Sequence, residues 1–216
     1  MGLRNHLIRV LIVANLIIKE QGMRKDFYIF RHGETDLNKQ KRWQGSGIDY
    51  DLNDEGQRQA AALAQRLADK NLQVIFSSPL LRALHTAEAV ALINKIPVVV
   101  KDNLRECFYG AAEGRLIAEL KEECPEILTN WYNPDPQYRG IRFKGGESKQ
   151  EALERVLAEI NKLKEEPYEI MGIAIHGGTM GQLLNYYHVP YDNIPNCAVL
   201  HLVLDEKGFH AEGGLF

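Results

Sequence analysis

Apolar and polar positions alternate along the chain in short blocks that predict strands. Four apolar runs are bounded by polar residues or glycine, as is typical of buried strands, and they cover residues 27–30, 74–76, 98–100 and 170–175. Two further runs near the end of the chain, 199–204 and 209–212, also have strand character. We therefore predict six strands.

Helical periodicity fills the intervals between these runs. After the cap candidate Asn53, apolar residues recur at helical spacing and predict a helix over 54–70. Pro79 suits the first turn of a second helix, over about 80–93. Ser148 and Glu151 have the spacing of a capping box, which predicts a helix that runs to about residue 164, and a last helix is predicted over 179–187.

Strands separated by helices indicate the α/β class. We predict a single domain over 25–216, with a mostly parallel central sheet and helices on both faces. Residues 108–147 depart from this pattern because prolines and glycines break them into short pieces, at Pro125, Pro134, Pro136, Gly140, Gly145 and Gly146. A loop-rich insert of that length in a compact domain typically serves as a lid or a substrate-binding segment.

Residues 1–24 precede the first predicted strand and form an N-terminal extension. The apolar stretch 7–18 is interrupted by Arg9 and Asn15 and is shorter than the roughly 20 residues that a bilayer requires. A signal peptide is one interpretation, although no small-residue cleavage site follows Ile18. We favour the alternative that Met23 is the true start, and we expect no stable membrane association.

Composition narrows the function classes. The chain has 216 residues, of which 45% are hydrophobic and 25% charged, as in an ordinary globular enzyme. Its formal net charge of −3 gives no general attraction for nucleic acid or anionic lipid. Cys107, Cys124 and Cys197 lack the spacing of a zinc site or a disulfide framework, which favours a cytoplasmic location.

The candidate chemistry lies where predicted strands end. Arg31 and His32 directly follow the first strand, and His176 follows the fourth. Open α/β sheets bind their ligands at the carboxyl ends of such strands. Arg82 falls in the first turn of a predicted helix, where it can face the same edge. Because arginine matches two phosphoryl oxygens at once, these residues suggest a phosphomonoester site.

Each candidate has a chemical role and a structural alternative. A neutral His32 can attack phosphorus, and His176 can donate to a phosphoryl oxygen where Gly177 lets the backbone approach. Either histidine alone is more often a structural residue, and a lone Arg82 is more often solvated.

Two further polar side chains complete the candidate set. Glu106, just beyond the third strand, is a candidate acid if burial offsets the nearby arginines; the alternatives are an ion pair with Arg105 or a helix cap. Asn38 can donate an amide hydrogen bond to phosphate, or it is a turn residue.

Five ordered segments together resemble the histidine phosphatase superfamily, also called the phosphoglycerate mutase-like family. They are Arg31-His32-Gly33-Glu34-Thr35 with Asn38, Ser77-Ser78-Pro79 to Arg82-Ala83 with Thr86-Ala87, Leu104-Arg105-Glu106 with Gly110 and Glu113-Gly114, Gly146-Glu147-Ser148, and His176-Gly177-Gly178. The resemblance implies that His32 becomes the phosphohistidine and Glu106 the proton donor. It also implies that Arg31, Arg82 and His176 hold the phosphoryl group with help from Asn38, without a metal or another cofactor.

Three functions remain open on these grounds. A phosphatase passes the phosphoryl group to water, whereas a phosphoglycerate mutase returns it to a bisphosphorylated intermediate. Arg139, Arg142 and Lys144 are the only basic cluster in the insert and are more often a solvated loop than a second anion site, which favours hydrolysis of a small phosphorylated metabolite. The third function is a site that binds a phosphorylated ligand without turnover. A homodimer is compatible with the sequence.

Overall fold

Six strands build one sheet at the centre of the molecule. The computed structural model describes residues 24–216, and the predicted extension, apart from Arg24, lies outside the described residues. The strands are β1 (Lys25–Arg31), β2 (Val74–Ser77), β3 (Val98–Val100), β4 (Ile170–Ile175), β5 (Val199–Asp205) and β6 (Gly208–Ala211).

The strand order is β3-β2-β4-β1-β5-β6. The first four strands in this order pair in parallel, whereas β5 runs antiparallel to both β1 and β6. The prediction of a mostly parallel sheet is therefore confirmed. In the register of β1 and β4, Arg31 lies opposite Ile175, so the chain leaves the two strands side by side at the next residues, His32 and His176.

Seven α-helices surround the sheet in the described part of the chain. They are α1 (Asp36–Lys39), α2 (Asp54–Arg66), α3 (Leu81–Asn94), α4 (Ile117–Glu123), α5 (Pro125–Asn130), α6 (Lys149–Leu163) and α7 (Gly177–Tyr186). The predicted capping box is present, because Ser148 Oγ accepts from the backbone N–H of Glu151 and the Glu151 side chain accepts from Ser148 N. This reciprocal pairing satisfies two backbone donors at the start of α6.

Helices cover both faces of the sheet because strand residues alternate in direction. Phe27 and Ile29 of β1 pack into a core with α6 and α7, whereas Phe30 packs into a second core with α2 and α3. Strand β2 repeats the alternation, with Phe76 in the first core and Ile75 in the second. The prediction of helices on both faces is confirmed.

The predicted element ends need three corrections. Pro79 lies outside α3, because Leu80 is the cap residue and the helix begins at Leu81. Helix α2 ends at Arg66, and the turn at Ala68–Lys70 is a separate 3₁₀ helix. Helix α7 begins at Gly177, two residues earlier than predicted, because its apolar periodicity starts after the glycines that open it.

Residues 108–147 contain short helices joined by loops and have a hydrophobic cluster of their own. Helices α4 and α5 lie in this segment together with 3₁₀ turns at Gly110–Ala112 and Pro136–Tyr138. Trp131 is fully buried at the centre of the cluster and is surrounded by Tyr109, Leu120, Phe143 and Ala152. The segment is therefore packed against the domain, and it consists of short helices and loops as its prolines and glycines indicated.

Two global features complete the description. Within residues 24–216, no helix is long and apolar enough to cross a membrane. All three cysteines are free thiols, with Cys107 and Cys197 buried and Cys124 partly buried.

Candidate active site

The parallel pairing of β1 and β4 brings the two predicted histidines together. The rings of His32 and His176 have their centroids 5.2 Å apart and are tilted by 57°. Both side chains are buried, with 4% of His32 and none of His176 exposed. The contact joins residues that are far apart along the chain at the carboxyl edge of the sheet, where the sequence predicted the site.

A backbone carbonyl decides which nitrogen of His32 is free. Nδ1 lies 2.7 Å from the Gly33 carbonyl oxygen. Because a carbonyl only accepts hydrogen bonds, Nδ1 carries the proton and donates, and Nε2 keeps its lone pair. Burial, with the charges of Arg82 and Arg31, holds the pKa of His32 well below its ordinary value of 6.5. The result is a neutral imidazole with one nucleophilic nitrogen.

His176 has the same tautomer as His32, but here the protonated nitrogen is the one without a partner. Its Nε2 lies 2.8 Å from Ser78 Oγ, which already accepts from the backbone N–H of Leu80. We assign the Ser78 hydroxyl as the donor to Nε2, which places the imidazole proton on Nδ1. That Nδ1 is buried and has no hydrogen-bond partner within residues 24–216. Burial, with Arg82 and His32, holds the pKa of His176 well below 6.5, so the ring is a neutral donor.

Two arginines surround this pair of histidines. Arg82, the second residue of α3, is fully buried, and its Nη1 and Nη2 donate to the carbonyls of Ile48 and Gly45 at 3.0 Å each. Arg31 donates from Nη1 to the Ile194 carbonyl. The Nε atoms of both arginines are buried without a partner in the described chain. Burial lowers the pKa of Arg82 to about 10, so it stays charged at neutral pH.

Glu106 lies at the N-terminus of α7. Its Oε2 accepts from Gly178 N at 2.8 Å, and its Oε1 accepts from Thr179 N at 3.0 Å and from Cys107 N at 2.9 Å. Burial raises the pKa of Glu106 above 4.5, although these N–H groups and Arg82 oppose the shift. The alternative of an ion pair with Arg105 is wrong, because Arg105 pairs with Asp102 at 3.1 Å. Glu106 does cap a helix, because it accepts hydrogen bonds from the first turn of α7.

Glycine is required at position 178. A Cβ there would lie 1.9 Å from Tyr109 Oη and 2.8 Å from Glu106 Oε1. The absence of a side chain thus lets Tyr109 and Glu106 both approach the helix. Neighbouring Gly177 lies against Arg31, since its Cβ would be 3.2 Å from Arg31 Nε.

Asn38 is held in one orientation by its neighbours. Its Oδ1 accepts from Thr35 N at 3.3 Å and from Asn196 Nδ2 at 3.4 Å, which leaves its own Nδ2 as a donor. Asn196 also donates to the His32 carbonyl at 3.0 Å. Asn38 is thus part of a network with the candidate nucleophile.

A cavity of about 760 Å³ opens above these residues. Arg31, His32, Asn38, Glu106 and Gly177 line it, whereas Arg82 and His176 lie buried beside His32 and are not among the lining residues. The remaining lining residues are Arg42, Trp43, Gln44, Tyr109, Ile117, Tyr132, Pro134, Gly178, Leu184, Asn185, His188, Val189, Pro190, Tyr191, Asp192, Asn193 and Ile194.

Trp43 belongs both to the lining of the cavity and to an aromatic cluster. It lines the cavity and also packs edge-on against Tyr109 and Trp131, with centroids 5.3 Å and 6.4 Å away. Arg139, Arg142 and Lys144 do not line the cavity, and Arg142 forms an exposed ion pair with Glu151 at 3.2 Å. The basic cluster of the insert is a surface feature.

Sequence reasoning missed an ion pair that supports the Glu106 loop. Arg155 of α6 contacts Glu147 at 2.8 Å and donates from Nη1 to the carbonyls of Asn103 and Arg105 at 2.8 Å and 3.0 Å. Its Nη2 also lies 3.4 Å from the Glu106 carbonyl. Nothing local in the sequence marks Arg155, since all these partners come from other segments. Ser78, by contrast, was visible within the Ser77-Ser78-Pro79 motif.

His201 lies in an ion-pair cluster near the opposite edge of the sheet. Its Nε2 is 2.6 Å from Asp26, and its Nδ1 is 3.6 Å from Glu212. Arg24 donates to the same two carboxylates, so a guanidinium already balances them. Both carboxylates come from other segments of the chain.

Comparisons with known proteins agree with this geometry. The chain is 34% identical to phosphoserine phosphatase 1 of Hydrogenobacter thermophilus over 137 residues, which are 63% of this chain and 63% of that protein. It is 31% identical over 157 residues to the uncharacterized phosphatase PhoE of Bacillus subtilis, covering 72% of this chain and 74% of PhoE.

A solved structure has a similar fold. YhfR of Bacillus stearothermophilus superposes with a TM-score of 0.74 and 28% identity over 87% of this chain and 95% of that one. The profile of the histidine phosphatase superfamily (branch 1) matches residues 27–213, which contain every candidate site residue. The resemblance predicted from five short motifs is confirmed: this chain belongs to the histidine phosphatase superfamily.

Proposed function

We propose that this chain is a metal-independent phosphomonoesterase that hydrolyses a small phosphorylated metabolite through a phosphohistidine on His32. The observation that carries the proposal is the hydrogen bond from His32 Nδ1 to the Gly33 carbonyl, which leaves Nε2 as a free lone pair in a cavity that Glu106 also lines. A nucleophile and a buried carboxyl at one cavity are what stepwise phosphoryl transfer requires.

The first half-reaction forms the phosphoenzyme. The lone pair of His32 Nε2 attacks phosphorus as the bond to the ester oxygen breaks, and that oxygen takes the proton of Glu106. The alcohol leaves, Glu106 becomes a carboxylate, and the phosphoryl group is bonded to Nε2. The raised pKa of Glu106 favours the protonated form that this step consumes.

The second half-reaction restores the enzyme. Glu106, now a carboxylate, takes a proton from water as the water oxygen attacks phosphorus. The bond from phosphorus to Nε2 breaks, orthophosphate forms, and His32 and protonated Glu106 are regenerated. The same carboxyl thus serves as acid and then as base.

The surrounding donors stabilise the charge of the transferring group. Arg31 and Arg82 supply positive charge, and their unpartnered Nε atoms match the acceptors on a phosphoryl group. Nδ1 of His176 and Nδ2 of Asn38 add neutral donors. Because these groups are fixed before the substrate arrives, little reorganisation opposes the transition state.

Two observations favour hydrolysis over the mutase reaction. The matched relatives include proteins named as phosphatases, although the matched stretch spans less than two thirds of the first one's length. The basic cluster of Arg139, Arg142 and Lys144 lies outside the cavity, so it offers no second anion site to a bisphosphate.

Phosphorus NMR tests the proposal. The purified protein is incubated with chelator and a panel of phosphoserine, 3-phosphoglycerate, p-nitrophenyl phosphate and sugar phosphates, with a trace of 2,3-bisphosphoglycerate. Accumulating orthophosphate supports a phosphatase. Formation of 2-phosphoglycerate without orthophosphate would make the chain a mutase, and stabilisation by phosphate without any product would make it a binding protein.

A matched pair of variants tests the nucleophile. We expect His32→Ala to lose turnover and to lose the acid-labile phosphoenzyme trapped with labelled substrate. His210→Ala, at a partly exposed histidine on β6, should retain both. Substantial turnover by His32→Ala would refute the role of His32.

The cellular location and the oligomeric state of the protein are part of the same proposal. Three free cysteines support a reducing, cytoplasmic compartment. A homodimer stays a prediction, and analytical ultracentrifugation of the full chain is its test.

A further inference from the structure

The cavity is much larger than a phosphoryl group. Its volume of about 760 Å³ lies within the roughly 300–1,000 Å³ typical of sites that enclose drug-sized ligands. The candidate catalytic residues account for one end. The rest, here called the outer cavity, is built by the loop at Trp43, the insert at Ile117 and Tyr132, and the segment 184–194 after the middle of α7.

Aromatic rings from three segments form the walls of the outer cavity. They are Trp43, Tyr132 and Tyr191. Such rings offer flat apolar faces on which another ring can stack. Ile117, Leu184, Val189 and Ile194 add apolar side chains to the lining.

Tyr132 is held in place by α7. A Cβ at Gly181 would lie 2.6 Å from Tyr132 Cε1, so the ring lies directly against the helix at a position that only glycine permits. Asn185 Nδ2 donates to the Tyr132 carbonyl at 2.9 Å. The aromatic wall is therefore preorganised, which lowers the cost of ordering it around a ligand.

The outer cavity has little charge to offer a second anion. Its guanidinium, Arg42, donates to the Gly114 carbonyl at 2.7 Å and to Gln40 at 3.2 Å, so it is partly engaged. Asp192 supplies an exposed carboxylate at the same cavity. A leaving group with its own carboxylate or phosphate would therefore gain little attraction and would meet a like charge.

Neutral hydrogen-bonding groups are present instead. Asn185 and Asn193 line this part of the cavity, and Asn185 also forms a side-chain hydrogen bond with Tyr191. Amide groups both donate and accept hydrogen bonds, which favours a ligand that carries hydroxyl groups.

We infer that the outer cavity selects phosphomonoesters with a bulky, uncharged leaving group of nucleoside size, in which an aromatic ring is attached to a hydroxylated sugar. This inference rests on the proposed function and names its substrate class. It predicts that Tyr132 and Tyr191 determine specificity through contacts with the leaving group, whereas the phosphoryl end treats all monoesters alike.

A matched series of alkyl esters tests the inference. Adenosine 5′-monophosphate, ribose 5-phosphate and glycerol phosphate lose first the aromatic base and then the sugar ring, and 3-phosphoglycerate adds a carboxylate. We expect kcat/KM to fall along this series, with adenosine 5′-monophosphate at least about tenfold above 3-phosphoglycerate, a modest ratio for a binding site that contacts the leaving group. A flat series, or a preference for 3-phosphoglycerate, would overturn the inference.

Variants show whether the tyrosines carry the preference. Tyr132→Ala and Tyr191→Ala should lower the ratio of kcat/KM for adenosine 5′-monophosphate over glycerol phosphate by about tenfold. Tyr186→Ala, at an exposed tyrosine on α7 that does not line the cavity, should leave the ratio unchanged. Equal losses with both esters would mean that the tyrosines have only a structural role.

Binding separates this inference from the proposed function. We expect His32→Ala to bind adenosine 5′-monophosphate about tenfold more tightly than 3-phosphoglycerate in calorimetry, whether or not the native chain turns over. If no ester, including p-nitrophenyl phosphate, yields orthophosphate but this preference appears, the phosphatase proposal fails and the ligand class stands. Equal binding of the two esters would overturn the ligand class alone.

Discussion

The reactivity of His32 depends on its own backbone neighbour. The Gly33 carbonyl accepts from Nδ1 at 2.7 Å, so no second side chain is needed to orient the ring. Burial beside two arginines keeps the ring neutral, whereas burial acts on Glu106 in the opposite sense and favours its protonated form. The same environment thus favours a neutral His32 and a protonated Glu106, because burial disfavours whichever form carries charge.

These two pKa shifts predict a range of pH in which His32 is neutral while Glu106 is protonated. Because its pKa is lowered, His32 stays neutral well below pH 6.5, and because its pKa is raised, Glu106 stays protonated above pH 4.5. We expect kcat/KM for an alkyl ester to decline as the pH rises through the pKa of Glu106. A pH profile for p-nitrophenyl phosphate, whose leaving group needs little protonation, should show a weaker alkaline decline. Identical declines for both esters would exclude Glu106 as their cause.

The close contact of Tyr109 with Gly178 suggests a rescue experiment. A methyl group at this position would lie 1.9 Å from Tyr109 Oη, so Gly178→Ala should displace Tyr109 and Glu106. We expect kcat to fall by about 100-fold, the size of effect that a misplacement of about 1 Å can produce. Tyr109→Phe in the same chain removes the overlapping oxygen and should restore part of the loss. If the double variant were no faster than Gly178→Ala, the overlap would not explain the loss.

At the scale of elements, helix α6 supports the loop that carries Glu106. Arg155 joins Glu147 and the carbonyls of Asn103 and Arg105 in one network. Glu106 is therefore held at both ends, by α7 through its carboxyl group and by α6 through its backbone.

Arg155→Met should separate acid catalysis from the rest of the reaction. We expect kcat/KM to fall more for alkyl esters than for p-nitrophenyl phosphate, because only the alkyl esters depend strongly on a well-placed proton donor. The free energy of unfolding should fall by about 2–3 kcal/mol in urea denaturation, less than for a fully buried pair since the Arg155 side chain is 22% exposed. Arg58→Met, at an exposed helix pair, is the control. Equal losses for both esters would indicate a structural role alone.

At the scale of the whole molecule, an aromatic cluster joins the insert to the sheet domain. Trp131 is fully buried against Tyr109 and Phe143, with ring centroids 5.1 Å and 5.8 Å away. Its carbonyl accepts from Gln182 of α7 at 3.2 Å. The insert, the active-site tyrosine and α7 therefore share one packed unit, which ties the outer cavity to the catalytic end.

Trp131→Ala tests this connection. Removing the ring should lower the free energy of unfolding by about 3–5 kcal/mol, the usual cost of truncating a buried aromatic residue. Urea denaturation at neutral pH measures the change, and Tyr50→Ala, at a half-exposed tyrosine, serves as the control. A loss below about 1 kcal/mol would mean that the insert does not share the stability of the domain.

Local patterns in the sequence were sufficient to predict most elements and the order of the site segments along the chain. The capping box at Ser148 and the strands before His32 and His176 needed only nearest neighbours, because capping and apolar periodicity are local properties. The family motifs added the identity of the candidate residues, although their roles remain predictions until the experiments above are done.

Tertiary structure decided what depends on distant segments. The contact with Ser78 decides which nitrogen of His176 is free. Glu106 is held by α7 and by Arg155. The outer cavity is built by three segments that meet only after folding. None of these contacts is encoded by spacing, because a hydrogen bond between residues many positions apart depends on how helices and strands pack. The sequence by itself thus determined the fold class and the family, whereas packing decided which atoms meet in the cavity and how much room lies beside them.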